Sequence, residues 1–557
     1  MDRLRCEARG RTLALVLLAL VVYGGSLWGR ELLPPDEPRF ALIGLEMARS
    51  GDGVVTRNLE GEIYLDKPPL LFWGLAMGFR LFGESEIPAR IPSLLATLAL
   101  VALIHRMGRR LFDETTGTAA ALIYLSSVLA LSRGAWCATD ALLACGVFGA
   151  LASLWRAKAD DSRLAAVLAA AWLAMALLAK GPVALLFLLF AILADKITQA
   201  RMFSARMLLR PLPIVTFGLI VLPPTLLLLS RVPPDTVFAA LWHHSVERAI
   251  SSWDNLEPWW YHPLALFQGF FPWSVLFLPA FMPRVLRVLV EDRRLRALGL
   301  FLLVVLVFFS LPAGKRGVYL LPAYPLLALL AARAWPEIAA WPAGRRISGG
   351  LAIGLALLFA AAGAAVLWPG EAALLIPPPI SNLPAVRAGA GVLLFSFAGS
   401  MLVLPALLRS RPRAALIAAP VIFAALSGLA WPFWLTPALN QAQGARIAAR
   451  EARAAAPPSA TVAFTRGKRE LLAWYTGWRG PILDTPKEVT SFLEGAGTRV
   501  IIGKRSELGN PRDWPRGSRI VWRGRLGRAE LALLAYEGPP GSVSGPMARR
   551  EGGETTP

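Results

Sequence analysis

The chain has 557 residues, 55% of them hydrophobic and only 17% charged, against roughly 25% charge in a soluble globular protein. That composition excludes a disordered chain, a fibre and a disulfide-built secreted scaffold, and apolar runs near the roughly 20-residue length of a membrane span recur along it. The net charge of +21 is read as membrane topology and not as nucleic-acid binding, because Lys and Arg collect on cytoplasmic loops and no basic-aromatic module interrupts the runs.

In chain order, the basic start from Arg3 to Arg11 leads into an apolar run to Trp28. No small-residue cleavage site follows, so the run reads as a retained first span. Hydropathy and helix breakers place spans at 12–29, 88–105, 115–132, 140–156, 164–179, 181–195, 211–230, 264–283, 298–312, 318–334, 348–368, 388–408 and 414–434, thirteen in all. Basic clusters fall on alternate connections, among them Arg106, Arg109 and Arg110, then Lys196, Arg201, Arg206 and Arg210, then Arg409, Arg411 and Arg413. These connections are expected to be cytoplasmic, with the N-terminus. The others then face outward: 33–87, 133–139, the turn at Lys180, 231–263, 313–317 and everything after Trp434.

The first outward loop is polar where its surroundings are hydrocarbon. It carries Asp36, Glu37 and Arg39 in four residues, then Asp66 and Lys67 ahead of Pro68 and Pro69. Within it, 37–49 has helical periodicity and 70–82 is apolar and aromatic; both are too short to span and are expected to lie along the membrane surface. After Trp434 the composition changes. Expected helices at 441–455 and 468–475 alternate with strands at 460–464, 498–503, 519–525 and 531–536, which suggests a small α/β domain. The expected division is 1–436 for the membrane part, with loop 30–87 inside it, 437–537 for the soluble domain, and 538–557 for a Gly, Pro and Ser-rich disordered tail.

Ionisable groups beside a membrane are costly to bury and read as functional by default. Asp36, Glu37, Asp66, Lys67, Asp140, Lys180 and Lys315 all come out on the outward side. Simpler readings stand beside this: Asp36, Glu37 and Asp140 as helix caps, Asp66 and Lys67 as a solvated turn, Lys180 and Lys315 as snorkelling anchors. His243, His244 and His262 are lesser candidates for metal or substrate. Trp253, Trp259, Trp260 and Trp273 suit an aromatic belt. Cys6, Cys137 and Cys145 form no even framework and no metal-ligand spacing. A transporter would place its charges near the bilayer midplane on broken helices, whereas here they collect at one face.

The run P-D-E-P-R-F, the turn M-A-R-S-G-D and the stretch Y-L-D-K-P-P-L-L-F-W together resemble the first outer loop of a known family. So do Thr139-Asp140, A-K-G-P at 179–182, E-P-W-W-Y at 257–261, G-F-F-P-W at 269–273 and F-S-L-P-A-G-K-R-G-V-Y-L-L-P-A-Y-P at 309–325. The family is the polyprenyl-phosphate-dependent glycosyltransferases of the protein O-mannosyltransferase-related superfamily, and within it the lipid A aminoarabinose transferase branch. The resemblance implies a GT-C type fold: an all-α polytopic membrane protein of about 13 transmembrane helices with a small C-terminal α/β periplasmic domain, in a bacterial inner membrane. It implies transfer of a sugar from an undecaprenyl-phosphate donor to lipid A or another periplasmic acceptor, with protein O-mannosylation as the alternative. Asp36, Glu37 and Asp140 become the catalytic carboxylates, and Arg39, Lys67, Lys180 and Lys315 the donor-phosphate cations. Asp66 becomes a metal ligand for a divalent ion, although that branch has Glu there. No nucleotide cofactor is implied, and none of the phosphate-cradling Gly-rich motifs is present.

Overall fold

The computed structural model describes residues 2–243, 247, 255–368 and 384–538. His244, Trp253 and the expected tail beyond Gly538 lie outside them. The chain divides into two compact units, Met1–Asn58 with Glu62–Leu439, and Leu59–Gly61 with Asn440–Pro557.

The first unit is helical. Its opening helices are α1 (Asp2–Leu27), α2 (Asp36–Ser50), α3 (Leu70–Phe82), α4 (Glu86–Leu111), α5 (Glu114–Leu125), α6 (Val128–Arg133), α7 (Asp140–Ala159), α8 (Arg163–Lys180) and α9 (Val183–Thr198). Among the described residues, nine helices are long and apolar enough to cross a membrane. The other four of the thirteen expected spans are divided, short or charged in their first turn. Helix α9 has 16 residues, and 298–312 belongs to Arg293–Ser310, whose first turn carries Arg293, Arg294 and Arg296. The span at 264–283 is split into Tyr261–Gly269, Trp273–Leu276 and a 3-10 turn at Leu278–Phe281.

The span expected at 115–132 breaks between α5 and α6. Ser126 Oγ donates to the Leu122 carbonyl at 2.6 Å and Ser127 Oγ to that of Tyr124 at 2.8 Å. Hydroxyls bonding back to the preceding turn compete with the helix ladder, and Trp273 Nε1 holds Ser126 Oγ from outside at 3.1 Å. Hydropathy carries no trace of such a break. The A-K-G-P stretch likewise ends α8: Gly181 takes φ +80°, a conformation that L side chains rarely adopt, and Pro182 supplies no amide to continue the ladder.

Close helix approach in this unit uses residues without side chains, as in membrane helix pairs generally. Where α4 crosses α5, a Cβ on Gly117 would stand 2.6 Å from the His105 carbonyl oxygen and 3.0 Å from Arg109 Cα. Helices α2 and α3 pack as a hairpin, with Phe40 edge-on to Phe72 at 5.9 Å between ring centroids and Gly44 seated against Leu75. Asp36 and Glu37 begin this hairpin, so its packing fixes where they stand.

The second unit contains a five-stranded sheet in the order β2-β1-β3-β5-β4. The strands are β1 (Thr461–Thr465), β2 (Ile482–Leu483), β3 (Thr498–Lys504), β4 (Arg519–Leu526) and β5 (Ala529–Glu537). β1 runs parallel to β2 and β3, while β5 pairs antiparallel with β3 and β4. β1, β3, β4 and β5 overlap the four strands expected at 460–464, 498–503, 519–525 and 531–536. The two-residue β2 and the helix Pro486–Leu493 are too short for periodicity to reveal. Ala463, Val489, Leu493, Ile501 and Leu534 close the core between sheet and helices.

Candidate active site

The two carboxylates that open α2 are one residue apart, about 100° around the helix, and they face different surroundings. Glu37 is fully buried. Arg90 donates to it twice, through Nε at 2.9 Å and a terminal nitrogen at 2.8 Å. Arg30 approaches at 3.4 Å, and the amides of Leu33 and Cys137 each donate at 2.9 Å. Burial alone would raise the Glu37 carboxyl. Arg90, Arg30 and the Cys137 amide outweigh it and hold the group at about 2. Both oxygens are occupied and no face is open, so Glu37 does not stand where the expected catalytic carboxylate would meet a substrate.

Asp36 retains an accessible edge, with 11% of its side chain exposed. Arg39 donates to one oxygen at 2.8 Å and Arg316 to the other at 2.7 Å. Burial pushes this carboxyl up, but Arg316 first, then Arg39 and Arg133, bring it below its ordinary value. The simpler capping reading fails for both residues at the start of α2, since Pro35 is the cap and no side-chain cap bond forms there. It fails for Asp140 as well: Thr139 caps α7 without a side-chain bond, and the Asp140 carboxylate pairs with Lys180. The Lys180 ammonium lies 5.1 Å from the Tyr319 ring centroid, and Asp140 also acts on Arg316.

Arg316 was not among the residues expected from sequence, whereas its neighbour Lys315 was. A short antiparallel pairing decides between them. Glu257 N bonds to Ala313 O at 3.0 Å and Lys315 N to Asn255 O at 2.9 Å, with a bridge between Leu256 and Gly314. In such extended backbone successive side chains point to opposite sides. Lys315 is therefore turned inward, 3% exposed, its ammonium on the carbonyls of Glu257 at 2.7 Å and Ala313 at 3.4 Å. This corrects its expected place at the donor phosphate. Arg316 is turned to Asp36, and buried His262 bonds to the Arg316 carbonyl at 3.3 Å.

Two further groups complete the surroundings. Arg133, at the end of α6, lays its guanidinium 4.4 Å over the Trp136 ring and pairs with no carboxylate among the described residues. Lys67 is half-buried and donates to the Asp66 carbonyl at 2.9 Å. The metal expected at Asp66 finds no donor set: among the described residues no group of three or more His, Cys, Asp or Glu side chains could hold an ion.

The family described as dolichyl-phosphate-mannose-protein mannosyltransferase matches residues 66–228. An undecaprenyl phosphate-alpha-4-amino-4-deoxy-L-arabinose arabinosyl transferase of Pseudomonas aeruginosa is 33% identical over 369 residues, 64% of this chain and 65% of the relative. A protein of the same description from Erwinia tasmaniensis is 31% identical over 318 residues, 56% of each chain. The matched part thus spans less than two thirds of the length of these relatives. Among solved structures, ArnT from Cupriavidus metallidurans bound to undecaprenyl phosphate aligns with a TM-score of 0.76 at 22% identity, covering 94% of this chain and 98% of that one. Its apo state aligns with a TM-score of 0.75 at 22% identity, covering 95% and 98%. These alignments establish the shared fold, a helical membrane unit followed by a small sheet domain. This multi-pass membrane protein is thus similar in sequence, over part of its length, to aminoarabinose transferases and shares the fold of one, while residues 66–228 match the mannosyltransferase family model.

Proposed function

We propose that this chain is a membrane glycosyltransferase that moves a sugar, 4-amino-4-deoxy-L-arabinose, from an undecaprenyl-phosphate carrier to lipid A or a related periplasmic acceptor. The observation that carries the reading is the Asp36 carboxylate, ionised and partly open, set among Arg39, Arg316 and Arg133. The names of the relatives supply the substrate class. The alternation of Lys and Arg along the chain supports a cytoplasmic N-terminus, with the site and the second unit in the periplasm.

In the reaction the sugar's bond to the carrier phosphate breaks, the carrier leaves as undecaprenyl phosphate, and the sugar carbon bonds to an acceptor oxygen. Negative charge grows on the departing phosphate, so Arg39, Lys67 and Arg133 are assigned to stabilise it. Asp140 and Lys180, joined as a pair beside Tyr319, line the site from α7 and α8. Glu37, held by Arg30 and Arg90, positions Asp36 and does not react. No nucleotide takes part.

The state of Asp36 bears on the acceptor. A general base works best with a pKa near the operating pH, and Asp36 lies below even the ordinary carboxylate value. It is poorly suited to strip a proton from a hydroxyl and well suited to orient the sugar amine or an acceptor that is already anionic. A phosphate of lipid A is such an acceptor. A protein hydroxyl is the second reading, favoured by the family description over 66–228.

The test is to incubate purified protein with undecaprenyl-phosphate aminoarabinose and either lipid A or periplasmic protein, and to read the products by mass spectrometry. Aminoarabinose on a lipid A phosphate supports the first reading, a glycosylated protein supports the second, and no product from any acceptor overturns both. Within the same assay, Arg316→Lys is expected to lower transfer by roughly 10- to 100-fold, because an ammonium cannot reproduce the planar guanidinium contact. Lys315→Gln is expected to act chiefly on thermal stability, leaving transfer per folded molecule within about three-fold, since its ammonium binds loop carbonyls that an amide can also reach.

A further inference from the structure

The end of the membrane unit away from Asp36 carries a short helix, Pro283–Glu291, followed at once by the helix Arg293–Ser310. Helix α4 fixes where they stand. It is long and apolar enough to cross a membrane, and Arg90, which binds Glu37, lies near its start. Leu111 ends it about 30 Å farther on, at 1.5 Å per residue. Arg109 and Arg110 in its last turn mark that end as the level where hydrocarbon stops. Arg294 donates to the Leu111 carbonyl at 3.4 Å, which ties the start of Arg293–Ser310 to the same level.

At 100° per residue, the helix Pro283–Glu291 has three different sides. Val285 is buried and Leu289 packs against the same core. Leu286 and Val290, one turn apart, are exposed, as are Phe281 and Met282 just before the helix. Arg284, Arg287 and Glu291 form the third side, also exposed.

Solvated arginines that only set topology are the simpler account, and two observations stand against it. A topology signal needs charge alone and gives no reason to leave Leu286 and Val290 uncovered beside it. The arginines are also gathered with little acidic compensation. Five stand in 284–296, against Glu291 and Asp292. The Asp292 carboxylate accepts from the Arg294 amide at 2.7 Å, and among the described residues no carboxylate pairs with Arg284, Arg287 or Arg293. Arg293 and Arg294 moreover open a helix, where the dipole opposes cations and favours an anion.

We propose that the helix Pro283–Glu291 lies in the membrane interface and binds anionic phospholipid, Arg284, Arg287 and Arg293 taking the headgroup phosphates and Leu286 and Val290 the adjoining acyl carbons. A helix with one exposed apolar side and one basic side suits the plane of the interface. Clusters of four to eight basic residues beside a span draw anionic headgroups, and the tie to Leu111 sets this cluster at the headgroup level. The binding is remote from Asp36 and draws on no step of the transfer reaction.

The test is hydrogen–deuterium exchange of residues 283–296 in the full-length protein, held in nanodiscs of phosphatidylcholine alone or of phosphatidylcholine and phosphatidylglycerol in equal parts. Exchange there is expected to be about two-fold or more slower in the mixed discs, because guanidiniums bind a headgroup whose charge no choline cancels. Changing Arg284, Arg287 and Arg293 together to Gln, which keeps helix propensity, should make exchange equal in the two compositions. Salt near 1 M, where the Debye length is about 3 Å, should shrink the difference in the wild type, a result that depends on no variant folding. Equal exchange of the wild type in both discs, slowing that survives the three substitutions, or a difference that salt leaves unchanged would each overturn the assignment.

Discussion

Asparagine in place of Asp36 is expected to lower sugar transfer by roughly 10²- to 10⁴-fold, the range for losing a positioned ionised group at a reacting centre. The fold should survive, because the replacement is close in shape and the side chain sits at an accessible edge of the site. The loss has two sources. The amide carries no charge to hold the sugar amine or order the acceptor, and its NH2 end faces a guanidinium that offers only donors, so Arg39 or Arg316 loses its partner. Those cations would then be freer to bind phosphate, and donor affinity should hold or improve while turnover falls. Transfer measured at saturating donor, with thermal unfolding in parallel, checks this; unchanged turnover would remove Asp36 from the reaction. A pH profile adds a signed expectation. The Asp36 carboxyl is held below its ordinary value by Arg316, Arg39 and Arg133 against the opposing effect of burial. Activity should therefore be flat in this group from about pH 5 to about pH 8, and fall only as acid protonates it below the ordinary range near pH 4. A limb near neutrality that Asp36→Asn removes would reverse the argument for an anionic acceptor.

The loop around Asp36 was legible because a dense polar cluster amid hydrocarbon stands out, and because α2 and α3 have periodicity or apolar character along their whole length. What surrounds the carboxylate was not. Arg90 is 53 residues from Glu37 and Arg316 is 280 from Asp36, and in a chain with 58 Lys and Arg neither stands out as a partner. One signal was present: adjacent acidic residues on a helix point about 100° apart, so Asp36 and Glu37 were bound to meet different neighbours. The choice between Lys315 and Arg316 lay further out of reach, since it depends on a backbone pairing between 255–257 and 313–315. The break within the span expected at 115–132 was hidden for a related reason. Hydropathy measures composition over a window, while the Ser126-Ser127 break depends on two hydroxyls and an indole from residue 273.

Removal of the Glu37 charge is expected to have the largest effect on stability. Breaking a buried ion pair by changing one partner costs about 3–5 kcal/mol, and here two buried guanidiniums, those of Arg90 and Arg30, lose the carboxylate they share. Glu37→Gln should thus lower the thermal midpoint sharply in detergent and reduce yield. Activity should fall with the folded fraction, because the residue meets no substrate. Changing Arg90 to Gln in the same chain removes the charge that meets Glu37 twice, so the double variant should lose less than the sum of the single changes, which a double-mutant cycle would read directly. Additive losses would mean that Glu37 and Arg90 do not act as a pair. The same group sets an acid limit. Its folded value of about 2 lies below its ordinary 4.5, so the stabilisation is fully present above about pH 4.5 and is lost as pH falls from there through about 2. The shift corresponds to a contribution on the order of 3 kcal/mol. Wild type should therefore lose thermal stability over that window more steeply than Glu37→Gln, in which the linked proton has no site. Parallel acid dependence of the two proteins would show that Glu37 does not carry the network's charge.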